Sequence, residues 1–168
     1  MKLRTPLLLG AAATALVVGV AGPASAADTA TTFMLTGGDL SVAPAASAAL
    51  GSAATGAAST SGSLGANSVT DARGGTVGWT VSAASAGFTG PGSTHSTGVS
   101  YTSGAVTNTG TVTVVGSSPA SIASAATVVA GTAVSGNNTA SWTPSLTVAL
   151  PADALAGAYT GTVTTSVA

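Results

Sequence analysis

Thr139-Ala140-Ser141-Trp142-Thr143-Pro144-Ser145-Leu146-Thr147-Val148-Ala149-Leu150 is the clearest regular stretch of this 168-residue chain. From Trp142 onward every second residue is apolar: Trp142, Pro144, Leu146, Val148 and Leu150. Successive side chains of a strand point to opposite sides, so these five share one face of an extended segment. A helix would need apolar residues three and four apart, and no such stripe persists after residue 26. Pro144 has no N–H to give to a ladder, so it predicts an edge position or a bulge.

Alternation of the same kind recurs on either side, separated by Gly, Pro, Asn and Ser clusters. Strands fit Thr31–Thr36, Asp39–Ala43, Ser63–Ala72, Thr76–Ala84, Gly98–Thr102, Val106–Val115, Ala126–Ala130 and Gly157–Val167. Gly37-Gly38 predicts a turn between the first two, and Gly74-Gly75 a hairpin between Ser63–Ala72 and Thr76–Ala84. Residues 44–61, rich in Ala, Ser and Gly, read as a loose surface connection, with a short helix or a poorly packed strand as the other options. Gly87–Thr97 reads as a loop, Gly136-Asn137-Asn138 as a turn and Pro151–Ala156 as a short connection. In the last strand Tyr159, Val163 and Val167 share a face, with Thr160, Thr162, Thr164 and Ser166 on the other. The pattern predicts an all-β fold, an antiparallel β-sandwich of about eight or nine strands, with sheets wetted on one side.

The first 26 residues have the form of a cleaved signal peptide: basic Lys2 and Arg4, an apolar run from Leu7 to Ala21, and Ala24-Ser25-Ala26 as the cleavage pattern. The run is short of the roughly 20 residues a membrane span needs. The expected mature domain, residues 27–168, has Arg73 as its one cation against Asp28, Asp39, Asp71 and Asp153. Such a surface cannot displace counterions from phosphates, which excludes nucleic-acid binding. Cysteine is absent, so the domain is expected to rest on its core alone and to lack a lipid-bearing cysteine. The last residues show neither a hydrophobic tail nor a sortase pattern, so the protein is expected to be either released or held on the surface non-covalently.

Few residues are available for chemistry. A Ser-His-Asp triad needs a histidine, and the single one, His95, sits in a Gly-, Ser- and Thr-rich loop without a nucleophile-elbow pattern. The four aspartates form no evident acid–base pair and no calcium loop, and zinc would need several His or Cys ligands. No enzyme, cofactor or metal is therefore expected. Asp71 and Arg73 lie two apart on one strand, hence on one face. One reading is an ion pair at the end of the hairpin or an Arg fork that satisfies backbone carbonyls; the other is recognition of a wall carboxylate or phosphate by the guanidinium. Trp79, sharing its face with Val77 and Val81, is either a core tryptophan between sheets or a platform for sugar rings. Trp142 and Tyr159 carry the same two readings.

Two stretches carry a resemblance to a known family. One is Val69-Thr70-Asp71-Ala72-Arg73-Gly74-Gly75-Thr76-Val77-Gly78-Trp79-Thr80-Val81. The other runs from Trp142-Thr143-Pro144 to Tyr159-Thr160-Gly161-Thr162-Val163-Thr164-Thr165-Ser166-Val167. Together they resemble the WxL family of secreted Gram-positive cell-wall-binding domains, which has an Asp-x-Arg-Gly stretch leading into a first Trp-x-Leu, and a final strand Tyr-x-x-x-Leu-Thr-Trp-x-Leu. Trp79-Thr80-Val81 matches the first motif with Val for Leu. Tyr159, Val163, Thr164 and Val167 match the second, and Thr165 stands where that family has its second Trp. The resemblance implies a secreted, non-catalytic protein held on peptidoglycan or another wall polymer, or one assembling with itself or a surface partner. It implies binding roles for Trp79, Val81 and Tyr159, beside the candidates Asp71, Arg73 and Trp142. A composition rich in Ala, Gly, Thr and Val, without Lys after residue 26, suggests a high-GC actinobacterial source.

Overall fold

A computed structural model describes residue 22, residues 25–93 and residues 95–168. The expected signal peptide lies largely outside the described residues. Two units are distinguished, residues 1–34 and 35–168; the second carries every strand.

The second unit is all-β and sandwich-like. Twelve strands run β1 (Leu40–Ala43), β2 (Ser59–Ser63), β3 (Asn67–Asp71), β4 (Trp79–Ala84), β5 (Phe88–Thr89), β6 (His95–Ser96), β7 (Val99–Thr102), β8 (Val106–Gly116), β9 (Ala126–Trp142), β10 (Ser145–Ala149), β11 (Thr160–Gly161) and β12 (Thr164–Val167). Three of them, β5, β6 and β11, are two residues long and form a small sheet of their own, so the remainder match the expected number. A second sheet has the order β2-β10-β7. The largest contains six strands around β9, with β8 on one edge and both β3 and β4 on the other.

Thr139–Leu150 is divided between two strands and is not one. Trp142 ends β9 in the six-stranded sheet, and Ser145 begins β10 in the three-stranded sheet. Pro144 breaks the ladder between them. It is fully buried, and its carbonyl accepts the Leu64 N–H at 2.9 Å. The neighbours turn the same corner: Ser63 and Thr102 flank Ser145, while Asn67 and Val106 flank Trp142. Three strands thus pass from one sheet into the other side by side, as sandwich corners require. Gly65 and Gly104, with φ of 81° and 70°, supply the left-handed residues on either side of Pro144.

A second bend lies within the six-stranded sheet. Ten strand steps from Val106 to Gly116 would span about 33 Å if straight. Gly116 instead lies against Val106 and Ser103, so β8 doubles back. The reversal falls at bulges between Thr109 and Thr111 and between Thr111 and Thr113, opposite β9 residues Thr132–Thr139. Bulges add residues to one strand and sharpen its bend and twist. Gly136-Asn137-Asn138 belongs to this bulge and is not the expected turn. The fold-back nearly closes the sheet around a core of Val69, Trp79, Val81, Val129, Ala140 and Trp142. Val99, Tyr101, Leu146 and Val148 of the second sheet and Ile122 complete it.

Three further expectations are corrected. Gly74-Gly75 does not close a hairpin, because β3 and β4 lie one after the other along the same edge of β9. Thr31–Thr36 forms no strand, and Gly38 extends the β1–β3 ladder by donating to the Ala72 carbonyl at 2.8 Å. The last expected strand is divided between β11 and β12, although its alternation survives: Val163, Thr165 and Val167 are half-buried and Thr164 and Ser166 exposed.

Candidate functional site

The segment between β3 and β4 starts where Asp71 ends its strand and finishes at Trp79. Its backbone leaves β9 for seven residues while β9 makes its own bulge alongside. Such a gap leaves main-chain groups without ladder partners, and side chains take over part of that role.

Asp71 is buried to 1% exposure. Its carboxylate accepts Arg73 Nε at 2.9 Å and Arg73 Nη2 at 3.0 Å, a two-pronged ion pair, and Oδ1 also accepts the Arg73 backbone N–H at 3.1 Å. Arg73 Nη2 also reaches the Val77 and Gly78 carbonyls at 3.4 and 3.3 Å. Asn138, from the β9 bulge, donates to Asp71 Oδ2 at 3.5 Å and accepts Trp79 Nε1–H at 3.0 Å. The backbone adds Gly136 N–H to the Gly75 carbonyl at 2.8 Å. The four side chains form one chain of contacts, Arg73–Asp71–Asn138–Trp79, across the bend in the sheet. Hydrogen bonds from Arg73 hold the Asp71 carboxyl below its ordinary range despite its burial, and Asp71 in turn raises the Arg73 guanidinium. The fork pairs Asp71 and cups two carbonyls, which joins both halves of the first reading for this pair, without the hairpin.

Trp79 itself is 2% exposed, and its ring lies over Gly131 of β9, where a Cβ would collide with it. Val81 is fully buried beside it. Val77 does not share their face: it lies outside β4 and is 68% exposed. Trp142 is 3% exposed and donates Nε1–H to the Tyr101 hydroxyl at 2.8 Å. That hydroxyl also bonds Asn67, and burial raises its pKa. Asn67 Oδ1 accepts the Ala45 N–H at 3.3 Å. Both tryptophans therefore sit between the sheets with their N–H groups paired, and neither ring face is open to a polymer. Of the candidate residues, only Arg73 and Tyr159 reach the surface.

No family model, no curated protein and no solved structure matches the chain.

Tyr159 lies just before β11, its ring packed over Gly90 and its hydroxyl donating to the Leu155 carbonyl at 3.1 Å. It borders a groove of about 530 Å³ between residues 48–57 and residues 154–159. Phe88, Val148 and Leu150 also line it, and no charged side chain does. This groove is remote in sequence from Asp71 and Arg73, and the structure brings neither of them to it. Among the described residues no cluster of three His, Cys, Asp or Glu could hold a metal.

Asn138 is the network member that sequence reading missed. Its signal was present in Asn137-Asn138 but pointed equally to a turn, the commoner use of such residues. Arg73→Lys keeps the charge and loses the planar fork. It is expected to lower stability by about 1–2 kcal/mol, the scale of a hydrogen bond to a charged group. Chemical denaturation of the two proteins measures this. An unchanged midpoint would show that the fork contributes nothing.

Proposed function

We propose that the chain is a secreted, non-catalytic surface protein that binds the Gram-positive cell wall non-covalently, with peptidoglycan as its ligand. One observation carries the proposal: Tyr159 is the motif aromatic that reaches the surface, and it borders a groove without charge. An aromatic ring with apolar faces and a polar tip suits a ligand that is part ring face, part hydroxyl. The sequence resemblance and the exported form of the first 26 residues support the same reading. In this reading Trp79, Val81 and Trp142 hold the domain together, Asp71 and Arg73 brace its bend, and contact with the wall belongs to Tyr159.

Co-sedimentation of the purified protein with purified peptidoglycan sacculi tests it. Binding should persist at moderate salt, because uncharged contacts are not screened. Tyr159→Ala should weaken binding about tenfold, equivalent to ~1.4 kcal/mol. Failure of the parent protein to co-sediment would overturn the proposal. Equal binding by the variant would remove the groove from it.

A further inference from the structure

We propose that the groove beside Tyr159 is one half of a longer furrow, and that the furrow takes the neutral N-acetylated sugar strand of peptidoglycan, not its peptide stems or the anionic polymers of the wall; this rests on the wall-binding reading above.

The length of the furrow points to a polymer. The groove of about 530 Å³ has a neighbour of about 290 Å³, lined by residues 44–50 and 161–165. The two meet at Ala48, Leu50 and Phe88, which line both. Residues 44–57 thus follow the furrow through both halves, with residues 154–159 bounding the first and 161–165 the second. A linear chain can place consecutive units in the two halves at once. The segment that follows the furrow is held in place by its own contacts. Asn67 Oδ1 accepts the Ala45 N–H at 3.3 Å, and the Thr60 hydroxyl donates to the Leu50 carbonyl at 3.4 Å. Gly62 lies so close to Leu50 that a Cβ would collide with its backbone. A wall fixed before binding loses little freedom when the ligand arrives.

Charge then selects among the components of the wall. No charged side chain lines either half. Arg73, the one cation after residue 26, is committed to Asp71, and four aspartates stand against it. Peptide stems carry free carboxylates, and the anionic wall polymers carry phosphates or carboxylates. An ionised group taken from water without a partner is strongly disfavoured, and a net negative surface repels anions at a distance. The sugar strand has no such difficulty. Its rings offer apolar faces, acetamido methyls, hydroxyls and amides, and the muramic carboxyl is held in the amide that bears the stem. The furrow answers each of these. Leu50, Phe88, Val163 and Tyr159 suit ring faces and methyls, while exposed Ser47, Ser52, Thr55 and Thr162 offer hydroxyls that donate and accept.

Calorimetric titration of the exported protein with the dimer and the hexamer of N-acetylglucosamine is the test, with the free stem pentapeptide as competitor. The hexamer is expected to bind about tenfold more tightly than the dimer, because only it reaches both halves. The pentapeptide should not displace it. Thr162→Trp blocks the second half from an exposed position between β11 and β12. It should reduce hexamer affinity to that of the dimer, with dimer affinity and melting temperature unchanged. Ser47→Trp, also exposed, should do the same from the other side. Equal affinity for dimer and hexamer would overturn the proposal. So would displacement by the pentapeptide, or full hexamer affinity in a folded Trp variant. Excess hexamer should also release the protein from sacculi. Protein that stays on the sacculi would overturn the sugar assignment and leave wall binding standing. Hexamer binding without sacculus binding would overturn the wall reading and leave the sugar chemistry of the furrow standing.

Discussion

Trp79→Ala is expected to cost about 3–5 kcal/mol, the range for removing a large aromatic from a core. The side chain fills the space over Gly131, and its N–H saturates Asn138. Truncation leaves a cavity between β4 and β9 and an unpaired acceptor in the middle of the network. Domains of this size hold about 5–15 kcal/mol in all, so the loss is a large share of the total. Thermal unfolding followed by far-UV circular dichroism should show a fall of roughly 10–20 °C. Trp79→Phe separates the two contributions: it keeps most of the apolar volume and orphans only Asn138, at about 1–2 kcal/mol. A Trp79→Ala protein melting with the parent would place the ring outside the core.

Asp71→Asn should be the second most damaging change, at about 2–3 kcal/mol, below the ~3–5 expected when a fully buried ion pair is broken. The discount follows from Arg73, whose side chain is 32% exposed and can turn to water once its partner is neutral. The same carboxylate makes the domain acid-sensitive. Its native pKa is held below the ordinary value, chiefly by the hydrogen bonds from Arg73. As pH falls, the unfolded chain therefore takes up a proton that the native state refuses. The stabilisation from Asp71 is complete above the ordinary carboxylate range near pH 4. It disappears as pH drops through that value and on through the depressed native one. Denaturant midpoints measured from pH 6 down to pH 2 should decline in the parent. Asp71→Asn should start lower and lose this part of the decline. Parallel curves for the two proteins would show that Asp71 is not the linked group.

How far the sequence predicted these features depended on the range of the contact concerned. Alternation placed β1, β7 and β8 within a residue, because the pleat imposes its period locally. Punctuation residues were read in the right places with the wrong geometry. Gly74-Gly75 and Gly136-Asn137-Asn138 each mark a change of backbone direction, but a turn and a bulge use the same left-handed residues. Only the pairing partner tells them apart, and the partner lies some sixty residues away. Pro144 was expected at an edge or bulge; it marks a corner, where the missing N–H is tolerated because the ladder is changing sheets. The Asp71–Arg73 pair was legible because its members are two residues apart, whereas Asn138 joins it only through the bend. Burial of both tryptophans was one of two open readings, since an aromatic in a strand suits a core and a sugar equally well.

The position of β9 constrains the order in which the domain can be made. β3 and β4 have no ladder with one another, and β8 pairs with neither; all three are joined through β9. A chain emerging N-terminus first presents four of the six strands of that sheet, β1, β3, β4 and β8, before residue 126 arrives to connect them. Until then β1 and β3 can pair only with each other, β4 and β8 have no partner in that sheet, and almost no charge keeps these ribbons from their neighbours. Closure of such distant pairings is slow, on the order of milliseconds to seconds. Nascent chains interrupted before Trp142 should be targets for proteases, and a chaperone that shields polar, β-prone segments would act in the interval before β9 appears.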